Sequence, residues 1–515
     1  MNKRKILTLL THLMVILLAQ FFTRLPDFIR WQNTPADKWY TGQSSWFDPW
    51  DLNVYFSAIG WGKRDGILFE NLYDTESVQA MPIYSLYTFL GKAASPFNLS
   101  NSFVFHLAGL ITNLFLAGTG WWFIKIFLKK EADRKLAFIL LFLGGGLGWL
   151  FFSKVTLPDI GQPGFTFASA IRRPHEAISL SCFLLALGYL WQGTINQKKS
   201  SLIYAGLSSF LMLLFHPYSL VSIGITLACF GFYWYVEKES TYFLKALILL
   251  GLAAGVYYFS VGKNLLSNPS FSGLASQVQA SPSPIQAILS WGLLFPLIVI
   301  ALFLKEKDGK SFFLKLWFIS HWLIIYLPFG FQKLLIRGLW VPAVILSVKG
   351  AREISRKMKW DYYLIVNLLI IFTSFSTLFM TYKRIVESPE NRWIYLTKEE
   401  GEAIDYLKTY GNNEEGVLAS YRIANLIPAN TPKRVWLGHP FQTPHFEERF
   451  AQAYRFFAGK MEESETKLFL KKTKAVWIFW GPDEKSIANL NKIPEEELLE
   501  LVFEKRQVTL YKVKE

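Results

Sequence analysis

Runs of mostly apolar residues long enough to cross a bilayer recur along this chain as far as residue 381, and they constrain its fold more than any other feature. Backbone amides cannot be left unpaired in hydrocarbon, so a run of about 20 such residues crosses as a helix. Runs of that kind are centred on residues 6–23, 102–124, 136–153, 175–192, 201–217, 218–236, 242–260, 285–304, 312–330, 335–350 and 361–381. The reading is an α-helical polytopic membrane protein with about 11 transmembrane helices. Composition agrees, since 52% of the 515 residues are hydrophobic, with 19 Trp and 45 Phe. That is too apolar and too aromatic for an ordinary soluble chain of this length.

Charge then orients the chain. The excess of 54 Lys and Arg over 39 Asp and Glu gives a formal charge of +15. In a soluble protein this would raise nucleic acid as a partner. Here the connections KKEADRK (129–135), NQKKS (196–200), EKES (237–240), KEKDGK (305–310) and REISRKMK (352–359) are short and mostly basic. The positive-inside rule places them in the cytoplasm, so membrane lipids replace nucleic acid as the partner. Lys3, Arg4 and Lys5 share that side. No small-residue cleavage site follows the first run, which reads as an uncleaved helix with the N-terminus cytoplasmic. Alternation puts residues 24–101, 154–174, 261–284, 331–334 and everything after about 382 outside. Cys182 and Cys229 both lie within apolar runs and imply no disulfide framework.

Two domains follow from this. Residues 1–390 form the transmembrane domain, including a large first outer loop (24–101), and residues 391–515 form a small extracytoplasmic α/β domain. In the latter, Thr397 and Glu400 stand at capping-box spacing and Gly411 closes the helix they open. GVLASY (416–421), RVWLGH (434–439), AVWIFWG (475–481) and VTLYKV (508–513) are strand-prone. HFEERFAQAYRFFAG and EEELLELVFEKR read as helices between them, so a partly parallel sheet is expected. No Gly-rich phosphate loop supports a nucleotide site.

Chemistry concentrates in the outer segments. In FDPWDLNVY (47–55), Asp51 and Tyr55 share one face of a short helix with Ile59. Asp51 reads as an N-cap by helix grammar. The functional alternative is a general base, desolvated between Trp46 and Trp50. Asp48, three residues earlier, is a second carboxylate or a metal ligand, although one D-x-x-D is a thin basis for a metal. The second outer segment brings Asp159, Arg172, Arg173, His175 and Glu176 near the start of a membrane helix. Adjacent arginines outside run against the positive-inside bias and point to a bound anion, with snorkelling as the plainer alternative. Lys333 and Arg337, four apart, extend that logic, because arginine forks suit phosphate oxygens. His216 and His321 lie at or within apolar runs, where a lone histidine is more often a packing residue.

Taken in order, these features resemble the GT-C class of polytopic membrane glycosyltransferases. DLNVYFSAIGWGKRDGILFENLYDTE, RRPHEAISL, HPYSL, FQKLLIRGLWVP and NLIPANTPKRVWLGHPFQTP are similar to stretches of bacterial membrane proteins described as protein O-mannosyltransferase-like (family 39-like). The resemblance implies a hexosyl or pentosyl transferase using a polyprenyl-phosphate sugar donor. The acceptor would be a glycan, lipid or protein on the outer face of the cytoplasmic (inner) membrane. It also implies Asp51 as the base, Asp159 as an assisting second-loop acid, and Arg337, Lys333 and Arg172 or Arg173 near the donor phosphate, with Tyr55 and His175 completing the substrate set. The chain lacks the adjacent Asp-Glu pair of the O-mannosyltransferases and the D-x-D triplet of oligosaccharyltransferases. No metal ligand is therefore assigned, and a divalent metal stays the one cofactor candidate. An oligosaccharide ligase or polymerase, a lipid-linked-sugar flippase or transporter, and a membrane scaffold are the alternatives.

Overall fold

The computed structural model describes residues 3–43, 48–238, 242–268, 278–305, 309–488 and 493–514. The expectation for Trp46, and parts of the connections 237–240 and 305–310, lie outside the described residues. The chain divides into two compact units. One comprises Met1–Pro26, Ala108–Phe259 and Val278–Ile385; the other comprises Asp27–Leu107, Ser260–Gln277 and Val386–Glu515.

Among the described residues, seven helices are long and apolar enough to cross a membrane: Thr8–Gln32, Asn101–Phe127, Glu131–Phe151, Pro174–Asn196, Ser219–Glu237, Tyr242–Ser267 and Tyr362–Ile385. An eighth arises if Pro284–Trp291 and Leu294–Leu302, bent by 100°, are one broken span. The other three expected spans are helical but shorter or more charged. Lys199–Leu213 has 15 residues and Gly309–Ile324 has 16, while Trp340–Met358 ends in Arg356 and Lys357. Leu110, Ile111, Leu114 and Phe115 form an exposed apolar stripe on their helix, whereas Ala108, Leu116 and Ala117 on the same helix are buried. One apolar face packed and another apolar face open is the pattern of a helix that meets lipid. Trp291, Trp317 and Trp340 are fully buried in the core of the first unit. The chain is a mostly helical, multi-pass membrane protein with a small C-terminal sheet domain.

The second unit is built around seven strands: β1 (Lys38–Tyr40), β2 (Tyr395–Thr397), β3 (Gly416–Leu418), β4 (Arg434–Val435), β5 (Ala475–Trp480), β6 (Leu499–Lys505) and β7 (Val508–Val513). Five of them make a sheet of order β4-β3-β5-β7-β6, parallel from β4 to β5 and antiparallel from β5 to β6. The expected capping box is present, with Glu400 N donating to Thr397 Oγ1 (3.1 Å) and Thr397 N to Glu400 Oε2 (2.8 Å). One expectation fails. Within EEELLELVFEKR only a 3₁₀ turn forms, at Glu496–Leu498, and the rest is β6. Helix-favouring Glu and Leu lose there to pairing with β7, since propensity is a weak prior against tertiary context.

The first outer loop belongs to this second unit. β1 pairs antiparallel with β2. Arg434, 2% exposed, donates to the Asn71 and Glu76 carbonyls and pairs with Glu70 and Glu414. The helix Pro49–Arg64 packs on Ser85–Ala94 and on Tyr421–Asn430. At the first crossing, a Cβ on Gly62 would stand 2.0 Å from the Thr88 carbonyl and one on Gly91 2.1 Å from that of Ile59. Only glycine permits so close a backbone approach.

Candidate functional site

Asp51 lies in the first turn of the helix Pro49–Arg64, and it is Asp48 that occupies the N-cap position. Pro49, with its fixed φ and absent N–H, starts the helix so that its N-cap falls three residues earlier than the sequence reading placed it. Asp48 makes no side-chain capping bond, and its backbone carbonyl accepts from Asp51 N (3.2 Å). The Asp51 carboxylate meets a side chain from far along the chain. His439 Nε2 lies 3.0 Å from Asp51 Oδ1. The Asp51 side chain is 31% exposed and that of His439 only 3%. Burial, and then the Asp51 charge, push the Tyr421 hydroxyl up to about 12; Tyr84 is raised by the same two causes in the same order. Buried Tyr73 also feels the Asp51 charge. The carboxylate thus lies within electrostatic reach of Tyr73, Tyr84 and Tyr421. Tyr55 is buried, its ring stacked on Tyr87 at 4.7 Å, so its aromatic face is taken up by packing.

The loop that presents His439 follows β4 and is fixed from both sides. Thr443 Oγ1 accepts from Gly438 N (3.0 Å), and the His439 carbonyl accepts from Gln442 N and Thr443 N. Gln442 Nε2 donates to Tyr84 Oη (2.7 Å), and Asn71 Nδ2 to the Gln442 carbonyl (2.6 Å). Sequence reading had not singled out His439. The available signal was a G-H-P triplet directly after a strand of the parallel part of the sheet, where ligand-contacting loops gather.

In the first unit, the motif RRPHE opens the helix Pro174–Asn196, with Arg173 at its N-cap. Arg337 grips Glu176 in a fork, Nε to Oε2 at 2.8 Å and Nη2 to Oε1 at 2.6 Å. His216 Nε2 stands 3.6 Å and His175 Nε2 3.8 Å from Glu176 Oε1. Buried Arg173 is pushed down to about 10 by burial, countered by Glu176 and reinforced by the Arg337 charge. Lys333 is lowered by burial and then by Arg337. Arg337 and Arg173 thus both feel the Glu176 carboxylate, beside a small cavity lined by Gly164, Ser179, His216 and Arg337. Lys333 and Arg337 do not share a helical face. The 3₁₀ turn Gln332–Ile336 ends before Arg337, whose backbone is extended, and Gly338 (φ +88°) breaks the chain ahead of Trp340–Met358. Arg172 faces another small cavity, with Thr23, Thr377, Thr381 and Arg384.

Asp159 stands apart from that cluster. One of its oxygens, Oδ2, accepts from Gly146 N (2.9 Å), Gly148 N (3.1 Å) and Ser376 Oγ (2.7 Å). Among the described residues Oδ1 has no hydrogen-bond partner. Burial raises this carboxyl to about 6 against the pull of those three donors.

His175, Glu176 and His216 offer ligand atoms within 4.8 Å of one another, a donor set of zinc type. Both oxygens of Glu176 are already held by the Arg337 guanidinium, however, so a dication there would have to displace a fixed cation. The cluster as built is an ion pair, and it does not fit a resident metal.

No family model matches the chain, and neither does any curated protein. Solved structures do. An oligosaccharyltransferase of Archaeoglobus fulgidus tethered to an acceptor peptide superposes with a TM-score of 0.57 at 13% identity, over 91% of this chain and 68% of that one. The same enzyme is also known in complex with zinc and sulfate. ArnT from Cupriavidus metallidurans, bound to undecaprenyl phosphate, gives 0.51 at 10% identity over 98% and 97%. The mycobacterial arabinofuranosyltransferase AftD gives 0.56 at 10% identity over 100% of this chain and 40% of its own. These are GT-C glycosyltransferases, and this chain has their fold.

Proposed function

We propose that the protein is an inverting glycosyltransferase that moves a sugar from a polyprenyl-phosphate carrier to a hydroxyl acceptor on the outer face of the cytoplasmic membrane, with the C-terminal domain extracytoplasmic. Asp51 takes the acceptor proton as the hydroxyl oxygen attacks the anomeric carbon, and the bond from that carbon to the carrier phosphate breaks. The phosphate leaves with the bonding electrons, so it needs fixed positive charge. The candidates for that charge are those the resemblance implies, Arg337, Lys333 and Arg172 or Arg173, in the first unit. ArnT and the archaeal oligosaccharyltransferase have been determined with undecaprenyl phosphate and dolichol-phosphate, which supports a carrier of that class.

The observation that carries this reading is a partly exposed carboxylate in the first turn of its helix, 3.0 Å from a buried histidine, on the GT-C fold. Positioning and base catalysis together supply several kcal/mol of barrier lowering, roughly what such a site must contribute. Asp159, with three donors on one oxygen, supports a structural part for the second-loop acid more than a chemical one. The likeness to oligosaccharyltransferase favours one second reading, transfer of a whole oligosaccharide.

Mass spectrometry of lipids from cells lacking the gene tests the proposal. A polyprenyl phosphate carrying one sugar is expected to accumulate, and a long lipid-linked glycan would support the second reading. An unchanged lipid pool overturns both.

A further inference from the structure

We propose that His439, from the C-terminal domain, is a positioning residue for Asp51, holding the base through a neutral N–H donor. This rests on the transferase reading above and assigns the C-terminal domain a part in the reaction.

The tautomer follows from the hydrogen bonds around the ring. Phe441 N lies 3.1 Å from His439 Nδ1. A backbone N–H can only donate, so Nδ1 accepts and carries no proton. The remaining ring proton of a neutral imidazole is then on Nε2, which faces Asp51 Oδ1 at 3.0 Å. Two consequences follow. First, His439 cannot itself be the general base, because the lone pair on Nδ1 is occupied by the main chain and Nε2 bears hydrogen. Second, the donor to Asp51 is uncharged, so it fixes the rotamer of the carboxylate without setting a full positive charge beside a group that must accept a proton.

Burial supports the division of labour. His439 is shut off from solvent while Asp51 is open to it, so an acceptor can reach the carboxylate but not the imidazole. The imidazole is itself held at three points. Its Nδ1 takes the Phe441 amide, its backbone carbonyl takes two amides, and its ring lies edge-on to that of fully buried Tyr73 at 6.1 Å. A side chain so constrained transmits the position of the C-terminal loop directly to the carboxylate.

The test uses the full-length protein in detergent with, as donor probe, the sugar-loaded polyprenyl phosphate recovered from cells lacking the gene and, as acceptor source, an envelope extract of the same cells, following loss of sugar from the lipid by mass spectrometry. His439→Ala is expected to lower the maximal rate about 10- to 100-fold, as misplacement of a catalytic group does, with the apparent KM for the lipid unchanged. His439→Gln, whose amide nitrogen reaches the Nε2 position, is expected to recover most of that rate. His439→Asn, whose amide is too short, is not. Asp51→Asn/His439→Ala is expected to be no slower than Asp51→Asn alone, since the histidine acts only through the carboxylate. Melting temperatures of all variants separate loss of folding from loss of rate. A fully active His439→Ala, or a double variant slower than Asp51→Asn by the full factor of the single histidine change, overturns the assignment of His439 while leaving the transferase reading intact. A fully active Asp51→Asn instead overturns the base reading on which it rests.

Discussion

His439 and Asp51 stand 388 residues apart in the chain and 3.0 Å apart in space, joined by a hydrogen bond from Nε2 to Oδ1. What keeps them together is the polar clasp around the loop 438–443, and its centre is Asn71. That side chain is fully buried and donates to the Gln442 carbonyl (2.6 Å) while accepting from Tyr73 N (3.0 Å). Asn71→Ala leaves both backbone groups without these partners, at about 1–3 kcal/mol each. The melting temperature is expected to fall accordingly, and limited proteolysis is expected to cut between residues 438 and 443 in the variant but not in the wild type.

Asp159 gives a pH signature. Its carboxyl is raised by burial from 3.8 to about 6. A group whose folded value lies above its unfolded value stabilises the fold fully below the unfolded value, and that stabilisation is lost as pH rises through the folded value. Relative to Asp159→Asn, which does not titrate, wild-type stability is therefore expected to decline by about 2 kcal/mol between pH 4 and pH 7. Thermal melting in detergent across that range checks it. Asp159→Ala, which removes the acceptor for two glycine amides and Ser376, is expected to melt lower than wild type at every pH.

The Glu176 and Arg337 fork is a buried ion pair, and breaking one side leaves a charge without its counterion. Glu176→Gln is expected to cost about 3–5 kcal/mol, and Glu176→Gln/Arg337→Met to recover part of that loss. Arg337→Met is also expected to weaken binding of undecaprenyl phosphate by about tenfold, because one positive charge is lost from the group proposed to hold the phosphate. Vesicle-based titration of the lipid measures this.

Legibility in the sequence followed the range of the interaction. Thr397 and Glu400 are three residues apart, and their capping box was readable because nothing distant decides it. The apolar runs and the mixed sheet were readable for a similar reason, since each rests on a local period, whereas the GT-C fold came through the resemblance of topology and motifs. The run ending in LELVFEK was misread because pairing with β7 overrode helix propensity. The shared face of Lys333 and Arg337 failed because the turn that carries Lys333 is 3₁₀ and ends at Ile336, leaving Arg337 extended. Eleven apolar runs yield seven helices of spanning length among the described residues, since run length does not report where a helix breaks. Asp51 was visible as a candidate, whereas His439 was not, because no local pattern ties a C-terminal histidine to an acid in the first loop. Glu176 was seen as one of several charged groups, and only the fold makes it the centre of the cluster with Arg337 and His216.

The central claim is that Asp51 is the base of a lipid-linked sugar transfer, and purified Asp51→Asn in a transfer assay tests it most directly. With the sugar-loaded polyprenyl phosphate that accumulates without the gene, the variant is expected to melt within a few degrees of wild type and to bind the lipid as tightly. It is expected to transfer the sugar at least about 100-fold more slowly, the scale set by loss of a general base. A variant that folds, binds and transfers at the wild-type rate contradicts the account.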